Sequence, residues 1–519
     1  MKAVGRLSFP VIACLGASLF LSYPSFGQLI DNTQSTNTIN AGINKSFAQE
    51  VGAGHGDVNT PDSSMYIIRR DPFRAMRRGR QLFQRKFTVA QGEGPRLQDG
   101  SGNINVNPAF GAGLADSCAA CHGRPRGSAG FGGDVATRPD SRDSPHLFGI
   151  GLREMLADEI TADLRAIKAH AIAQAQSGGT LKTLPLVSKG IKFGAITAFP
   201  GGSVDTSGVK GVNPDLRVRP FFAQGGTISI REFIVGAAQG ECGMKANDPE
   251  LANASAGGKF ITPAGMVLDG AADQIEAPPT PVSNEMPTSI VDFLEFYLFN
   301  YFTTATYEQT PQTELGNKQF LKIGCGACHI PDLHINHDRR LANITTVYDP
   351  AKGILNKLFA TVAGQFVEQT DDTSFPPIKL PAGGPFLVKD IFTDFKRHDL
   401  GPNFWERNYD GTFQKEFLTR PLWGVGSTAP YGHDGRSINL TEVILRHGGE
   451  AQKARDAFSK LPDVQRGYIL GFLNSLVIFP PDDTASNLDP GNPNAPNFPQ
   501  SGHGSIKLTV LFNDPTDLE

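Results

Sequence analysis

Cysteine and tryptophan are scarce in this chain, with six and two copies respectively in 519 residues. Net charge is small as well, at −4, and nothing in that balance suggests a nucleic-acid partner. Beyond the N-terminus no apolar run reaches the length of a membrane span. The most apolar stretch, 290–302, is interrupted by Asp292 and Glu295. Low hydrophobicity with 58 glycines and 37 prolines describes a loop-rich soluble protein. The chain is too long for a single core, so at least two domains are expected.

Scarce cysteine also makes coincidence a poor explanation of what is present. Cys118-Ala119-Ala120-Cys121-His122 and Cys325-Gly326-Ala327-Cys328-His329 are both Cys-x-x-Cys-His pentapeptides. One chance match in so cysteine-poor a chain has a probability of roughly one in a thousand. This pattern is what c-type haem attachment requires. Two thiols add to the haem vinyl groups, and the adjacent histidine becomes the proximal iron ligand. Cys118, Cys121, Cys325 and Cys328 are therefore expected to tether two haems, with His122 and His329 on the irons. Cys-x-x-Cys also serves zinc and dithiol redox centres, and His334 and His337 could complete a Cys2His2 set. Neither alternative explains the histidine in both copies. Cys242 is left over, more in keeping with a buried or idle thiol than with a redox centre.

Residues 1–27 read as a secretory leader: Lys2 and Arg6 form the basic start, 7–21 the apolar middle, and Ser25-Phe26-Gly27 the cleavage site. Export to a periplasm or beyond follows, and removing Lys2 and Arg6 takes the net charge from −4 to −6. Cys14 invites a lipoprotein reading, but cleavage there would leave an apolar stretch on the mature chain. Residues 28–70 read as a mobile or wrapping arm in which His55 carries no argument. Residues 71–302 form a first haem domain, 303–480 a second, and 481–519 a tail with one strand at 506–512. A helix is expected from Pro72, weakened by Gly79. A second runs from the 145–154 segment to Ala175, a third covers 288–302, a fourth 313–321 and a fifth 462–477. Short strands or loops are expected over 195–240. Helix, haem motif, long loops and closing helix thus occur twice.

Arg420-Pro421-Leu422-Trp423-Gly424-Val425-Gly426-Ser427-Thr428-Ala429-Pro430-Tyr431-Gly432-His433-Asp434-Gly435-Arg436, with 440–449 after it, resembles the di-haem oxidoreductase family. That family is itself similar to bacterial di-haem cytochrome c peroxidases and MauG-type enzymes. The Cys118 segment, 148–154 and 397–402 share the resemblance, which runs from about Arg77 to Val477 with the middle third poorly matched. It implies a mainly α fold of two cytochrome c-like haem domains with long loops and a few short strands. It further implies two covalent c-type haems and a calcium ion between the domains. Hydrogen peroxide would be the oxidant and a small c-type cytochrome or cupredoxin the electron donor, in the periplasm or outside the cell. The first haem would react and the second would store an electron. A pure electron-transfer protein and a haem oxygenase on a related scaffold are the alternatives.

His447, 14 residues beyond His433, stands where the similar peroxidases place an axial Met or Tyr, so bis-histidine ligation with His329 is expected. A histidine capping a helix before two glycines is the competing reading. His398 and His433 are expected to hydrogen-bond propionates or loops. Splitting peroxide moves a proton between its oxygens, so an acid–base group must reach the reacting iron. Glu154, 32 residues after His122, is the expected group, with His146 as rival or as a displaceable ligand; Pro145-His146 departs from the Pro-Pro of the family.

Overall fold

The structure, a computed structural model, describes residues 46–94, 113, 115–123, 129–130, 142–279, 285–301, 310–348, 351, 358–408 and 411–477. The leader, Cys14, the start of the arm and the 481–519 tail lie outside the described residues.

Three short helices open the chain: α1 (Phe47–Val51), α2 (Ser64–Arg70) and α3 (Pro72–Gln84). Ser46, Ser63 and Asp71 cap them through side-chain oxygens, and Pro72 starts α3 where no N–H partner is needed. Next come α4 (Cys118–His122), the 29-residue α5 (Ile150–Gly178), α6 (Ile230–Cys242), α7 (Pro249–Ser255) and α8 (Thr288–Asn300). The last group is α9 (Pro311–Lys322), α10 (Leu440–Arg446), α11 (Gln452–Ser459) and α12 (Asp463–Ser475). Between α5 and α6 an antiparallel three-stranded sheet joins Lys182–Ser188, Ile191–Ala198 and Val204–Asp205. Lys182 lies opposite Ala198, with an irregularity between Pro185 and Val187. All other sheets among the described residues are two-stranded ribbons.

The expected fold class is corrected here. The described residues are 39% helix and 16% strand, with twelve helices and many short strands among them, and two clear cytochrome c domains do not emerge. The physical reason is packing across the expected boundary. The larger core runs from Ile67 and Met76 through Phe293 and Tyr297 to Leu333, Ile344, Val388 and Trp423. The ribbons of the second half thus bury their apolar faces in the first. Only Phe320, Phe392, Leu440, Phe458, Ile469, Phe472, Leu473 and Leu476 gather into a separate smaller core.

Two helix crossings frame the two Cys-x-x-Cys-His motifs, each made by a glycine. A Cβ on Gly79 of α3 would lie 2.4 Å from the Phe293 carbonyl oxygen and from Tyr297 Cβ on α8. One on Gly316 of α9 would lie 2.0 Å from the Tyr468 carbonyl oxygen on α12. Gly79 therefore does more than weaken its helix: it lets α3 and α8 touch.

Candidate functional site

Ser117 caps α4 through its hydroxyl and sets Cys118, Cys121 and His122 on one short turn. The His122 ring is fixed by Nδ1, 2.8 Å from the Pro145 carbonyl. A carbonyl only accepts, so Nδ1 carries the proton and Nε2 keeps its lone pair, the tautomer a metal-bound imidazole adopts. Burial pushes His122 down to about 4, which keeps that nitrogen free.

Two adjoining cavities open on this turn. The apolar one, about 620 Å³, reaches from Cys118 and Phe83 to Leu294 and Leu298 of α8 and to Cys242. The polar one, about 1080 Å³ including its open mouth, reaches from His122 to Arg142, Arg153, Arg420 and His433. Cys121, His122, Leu147, Phe233, Ala237 and Glu241 border both. Helix α6 supplies Phe233, Ala237 and Glu241, along with Gly236 on the polar side.

The polar cavity is lined by three guanidiniums, Arg142, Arg153 and Arg420, and two carboxylates, Asp143 and Glu241. Arg142 is matched by Glu406 at 2.7 Å. Arg153 donates to the Pro220 carbonyl, and burial beside Arg420 pushes it down to about 9. Burial and Arg142 push Arg420 down to about 10. Two crowded guanidiniums beside a histidine with a free lone pair form a donor set suited to the two carboxylates of a haem. His433 stacks on Phe417 with centroids 3.9 Å apart, and its Nε2 is 3.6 Å from Glu406. His433 thus belongs to the cavity of the first motif, although it lies in the second half of the chain.

Neither expected acid–base group borders these cavities. Glu154 faces away: its carboxylate accepts from the Ile230 N–H at 2.8 Å and pairs with Arg339 at 3.1 Å, and burial pushes it up to about 8. His146 donates Nε2–H to the Trp423 carbonyl at 2.7 Å, stacks on Phe148, and leaves a buried Nδ1 without a partner. Cys242 is buried, and desolvation pushes its thiol far above the usual range.

At the second motif Cys325–Ala327 form a 3-10 turn behind Gly324, whose φ is +105°. His329 repeats the arrangement of His122, with Nδ1 2.9 Å from the Phe392 carbonyl. That carbonyl is aimed by a strained loop in which Asp390, Phe392 and Phe395 have φ of 54°, 53° and 58°. His447 ends α10 and gives Nδ1–H to the Val443 carbonyl at 2.7 Å, with Phe404 edge-on at 5.2 Å. It caps its helix and still presents Nε2, so the two readings of His447 are compatible. Burial pushes His329 down to about 4, and the neighbouring His447 acts in the same direction.

His398 lies between two carboxylates, Nε2 3.0 Å from Asp394 and Nδ1 2.9 Å from Glu450. Burial opposes its charge, yet both ring nitrogens face carboxylates, which only accept, and the Asp394 hydrogen bond raises its pKa, so it is an imidazolium. Cys328, Asp394 and His398 bring their polar atoms within 4.8 Å of one another.

Sequence reasoning missed α6 and hence Phe233, Gly236, Ala237 and Glu241. The Thr227-Ile228-Ser229-Ile230 alternation looked strand-like. The signal that finds the helix is Ser229 with Glu232, a capping box in which each side chain bonds the other's backbone N–H. Arg153, beside the expected Glu154, was missed as well.

Residues 381–476 match the family described as "Di-haem oxidoreductase, putative peroxidase". This stretch contains His398, Arg420, His433 and His447, and the match suggests a haem oxidoreductase. No curated protein matches the chain. Among solved structures, hydrazine synthase of Kuenenia stuttgartiensis is similar at 16% identity and a TM-score of 0.23, over 37% of this chain and 56% of that one. The chain therefore spans less than two thirds of that protein's length. No helix among the described residues is long and apolar enough to cross a membrane.

Proposed function

We propose that this chain is an exported di-haem c-type oxidoreductase that reduces hydrogen peroxide with electrons from a small redox protein. Cys118 and Cys121 would tether the first haem and Cys325 and Cys328 the second, with His122 holding the first iron and His329 and His447 the second. The carrying observation is that His122 lines a cavity with its Nδ1 on a carbonyl, while His329 and His447 each give Nδ1–H to a carbonyl and lie within each other's electrostatic reach. Haem at both motifs supplies two irons that each exchange one electron, matching the two electrons that peroxide reduction takes.

The chain's own residues do the rest. Arg153 and Arg420 pair the propionates, and Phe233 with Leu147 walls off water. Glu241 borders both cavities beside His122, and in this reading its carboxylate moves the proton between the peroxide oxygens. Asp394 and Glu450 hold the His398 imidazolium beside Cys328. One observation favours a closed electron-transfer protein instead: His433 borders the same cavity as His122.

Stopped-flow mixing of the reduced two-haem protein with peroxide separates the readings. Rapid oxidation of both haems is expected, and Glu241→Gln should slow it at least tenfold, equivalent to about 1.4 kcal/mol of barrier. Glu154→Gln should not slow it. Peroxide left unconsumed by the wild type, or an intact mass with fewer than two haem additions, would sink the proposal.

A further inference from the structure

Residues 46–71 form a strap across the outside of the apolar cavity wall. At one end Phe47 stands edge-on to Phe87, centroids 6.2 Å apart, and Phe87 borders the cavity. Glu50 pairs with Arg85, whose guanidinium lies over the Phe47 ring. At the other end the buried Arg70 binds Asp371 at 2.6 Å, Asn59 at 2.7 Å and the Val58 carbonyl at 2.6 Å. In the middle His55 reaches α8: Nδ1 is 2.6 Å from Asp292 and Nε2 3.4 Å from Glu250 on α7. The Ser64 hydroxyl also donates to Asp292. Leu294 and Leu298 of α8, close along the helix to Asp292, border the cavity.

We propose that His55 is a pH-operated latch that, as imidazolium, clamps this strap onto α8 over the first haem site and, as neutral imidazole, releases it. The Arg70–Asp371 tie at the far end of the strap keeps its charges between pH 5 and 8, because Arg70 and Thr373 hold Asp371 down at about 2, whereas histidine changes charge there. The groups facing His55 are Asp292 of α8, Glu250 of α7 and Arg231 of α6; Arg231 is itself held by Asp248, Asp292 and Glu295 at 2.6, 2.9 and 3.0 Å. Neutral imidazole can still give Nδ1–H to Asp292, so deprotonation removes the positive charge behind that bond and the Nε2–H facing Glu250 at 3.4 Å, and the weakened clamp lets the strap open. His55 is 28% exposed at its side chain, so its proton exchanges with solvent without unfolding. The hydrogen bond to Asp292 raises the pKa of His55 above its ordinary value, against its burial. A raised pKa means the clamp is complete below the ordinary value and is lost as pH rises through the raised one.

The latch is independent of what the haems do. Amide hydrogen exchange of the haem-loaded protein from pH 5 to 9, corrected for intrinsic pH dependence, tests it. Amides of 47–66 should exchange at least tenfold faster at the alkaline end, while those of α9 and α12 stay protected. His55→Gln should exchange fast at every pH. Glu250→Gln, a partly exposed change that leaves Arg231 paired, should move the transition to lower pH and keeps the test available if His55→Gln misfolds. Wild-type protection that is flat across this range, or a transition unmoved by either variant, would overturn the latch.

Discussion

Gly316→Ala should destabilise the packing around the second Cys-x-x-Cys-His motif even though alanine is the better helix former. In a helix interior, alanine in place of glycine contributes about 1 kcal/mol of stability. Against that, the new Cβ would lie 2.0 Å from the Tyr468 carbonyl oxygen, 2.7 Å from its carbon and 2.8 Å from Phe472 Cβ. Ordinary contact begins near 3.4 Å, so α9 and α12 must part by roughly 1.4 Å. Backbone atoms are met first, so no side-chain rotation relieves the clash. Phe320 packs on Phe472 at 5.6 Å and against His329 at 5.9 Å, so the separation loosens the ring that steadies the proximal histidine. Overpacking costs about 1–3 kcal/mol and should fall at the upper end here, leaving a net loss of about 2 kcal/mol after the helix-propensity gain. Gly467→Ala and Gly471→Ala on α12 are the controls, because a Cβ at either meets nothing within 4 Å. Urea unfolding of the two-haem protein, followed at the second haem's absorption band, should rank both controls above wild type and Gly316→Ala below it. A Gly316→Ala protein as stable as its controls would refute the close crossing.

Other expectations follow from buried charge and from the ligands. Burial pushes Glu154 up to about 8, so its contribution to stability is complete below its unfolded value near 4.3 and is lost as pH rises through 8. Unfolding midpoints at pH 5, 7 and 9 should therefore fall less steeply for Glu154→Gln than for wild type, and equal slopes would reject the assignment. Arg231→Met removes the cation that Asp248, Asp292 and Glu295 share, and should cost about 3–5 kcal/mol. A thermal midpoint within error of wild type would show that the cluster is neutral. His447→Ala should convert one of two haem signals from low to high spin in electron paramagnetic resonance and leave the other unchanged. Two unaltered signals would remove His447 from the iron.

Local chemistry was legible in the sequence where a single residue type is required. Pro72 and Pro462 mark helix starts, and the helix at 313–321 is the observed α9 with small differences at its ends. Long-range closure was not legible. Glu154 looked well placed because it follows His122 at a distance that would allow the chain to fold back. On the long α5 it instead turns toward the α6 N-terminus and Arg339, and its neighbour Arg153 takes the cavity. The arm looked unstructured because its composition is polar and its apolar residues lack periodicity. Its contacts from Ser46 onward depend on isolated partners: Phe47 on Phe87, Glu50 on Arg85 and His55 on Asp292.

The segment 420–436 shows why two clear cytochrome c domains do not emerge. Arg420 and His433 line the cavity of the first motif, Trp423 sits in the larger core, and Leu422, Val425 and Tyr431 pack on the smaller one. The Trp423 carbonyl accepts a hydrogen bond from His146 Nε2–H, and the Trp423 ring lies against Gly149, where a Cβ would come within 2.7 Å of it at a φ of +70°. A rigid stretch that touches both cores cannot shift at one motif without straining the other, since packed interiors yield little. Change in ligation or charge at either site thus has a mechanical route to the other through Arg420 to His433. The residues that close the first site are carried by the half of the chain that holds the second.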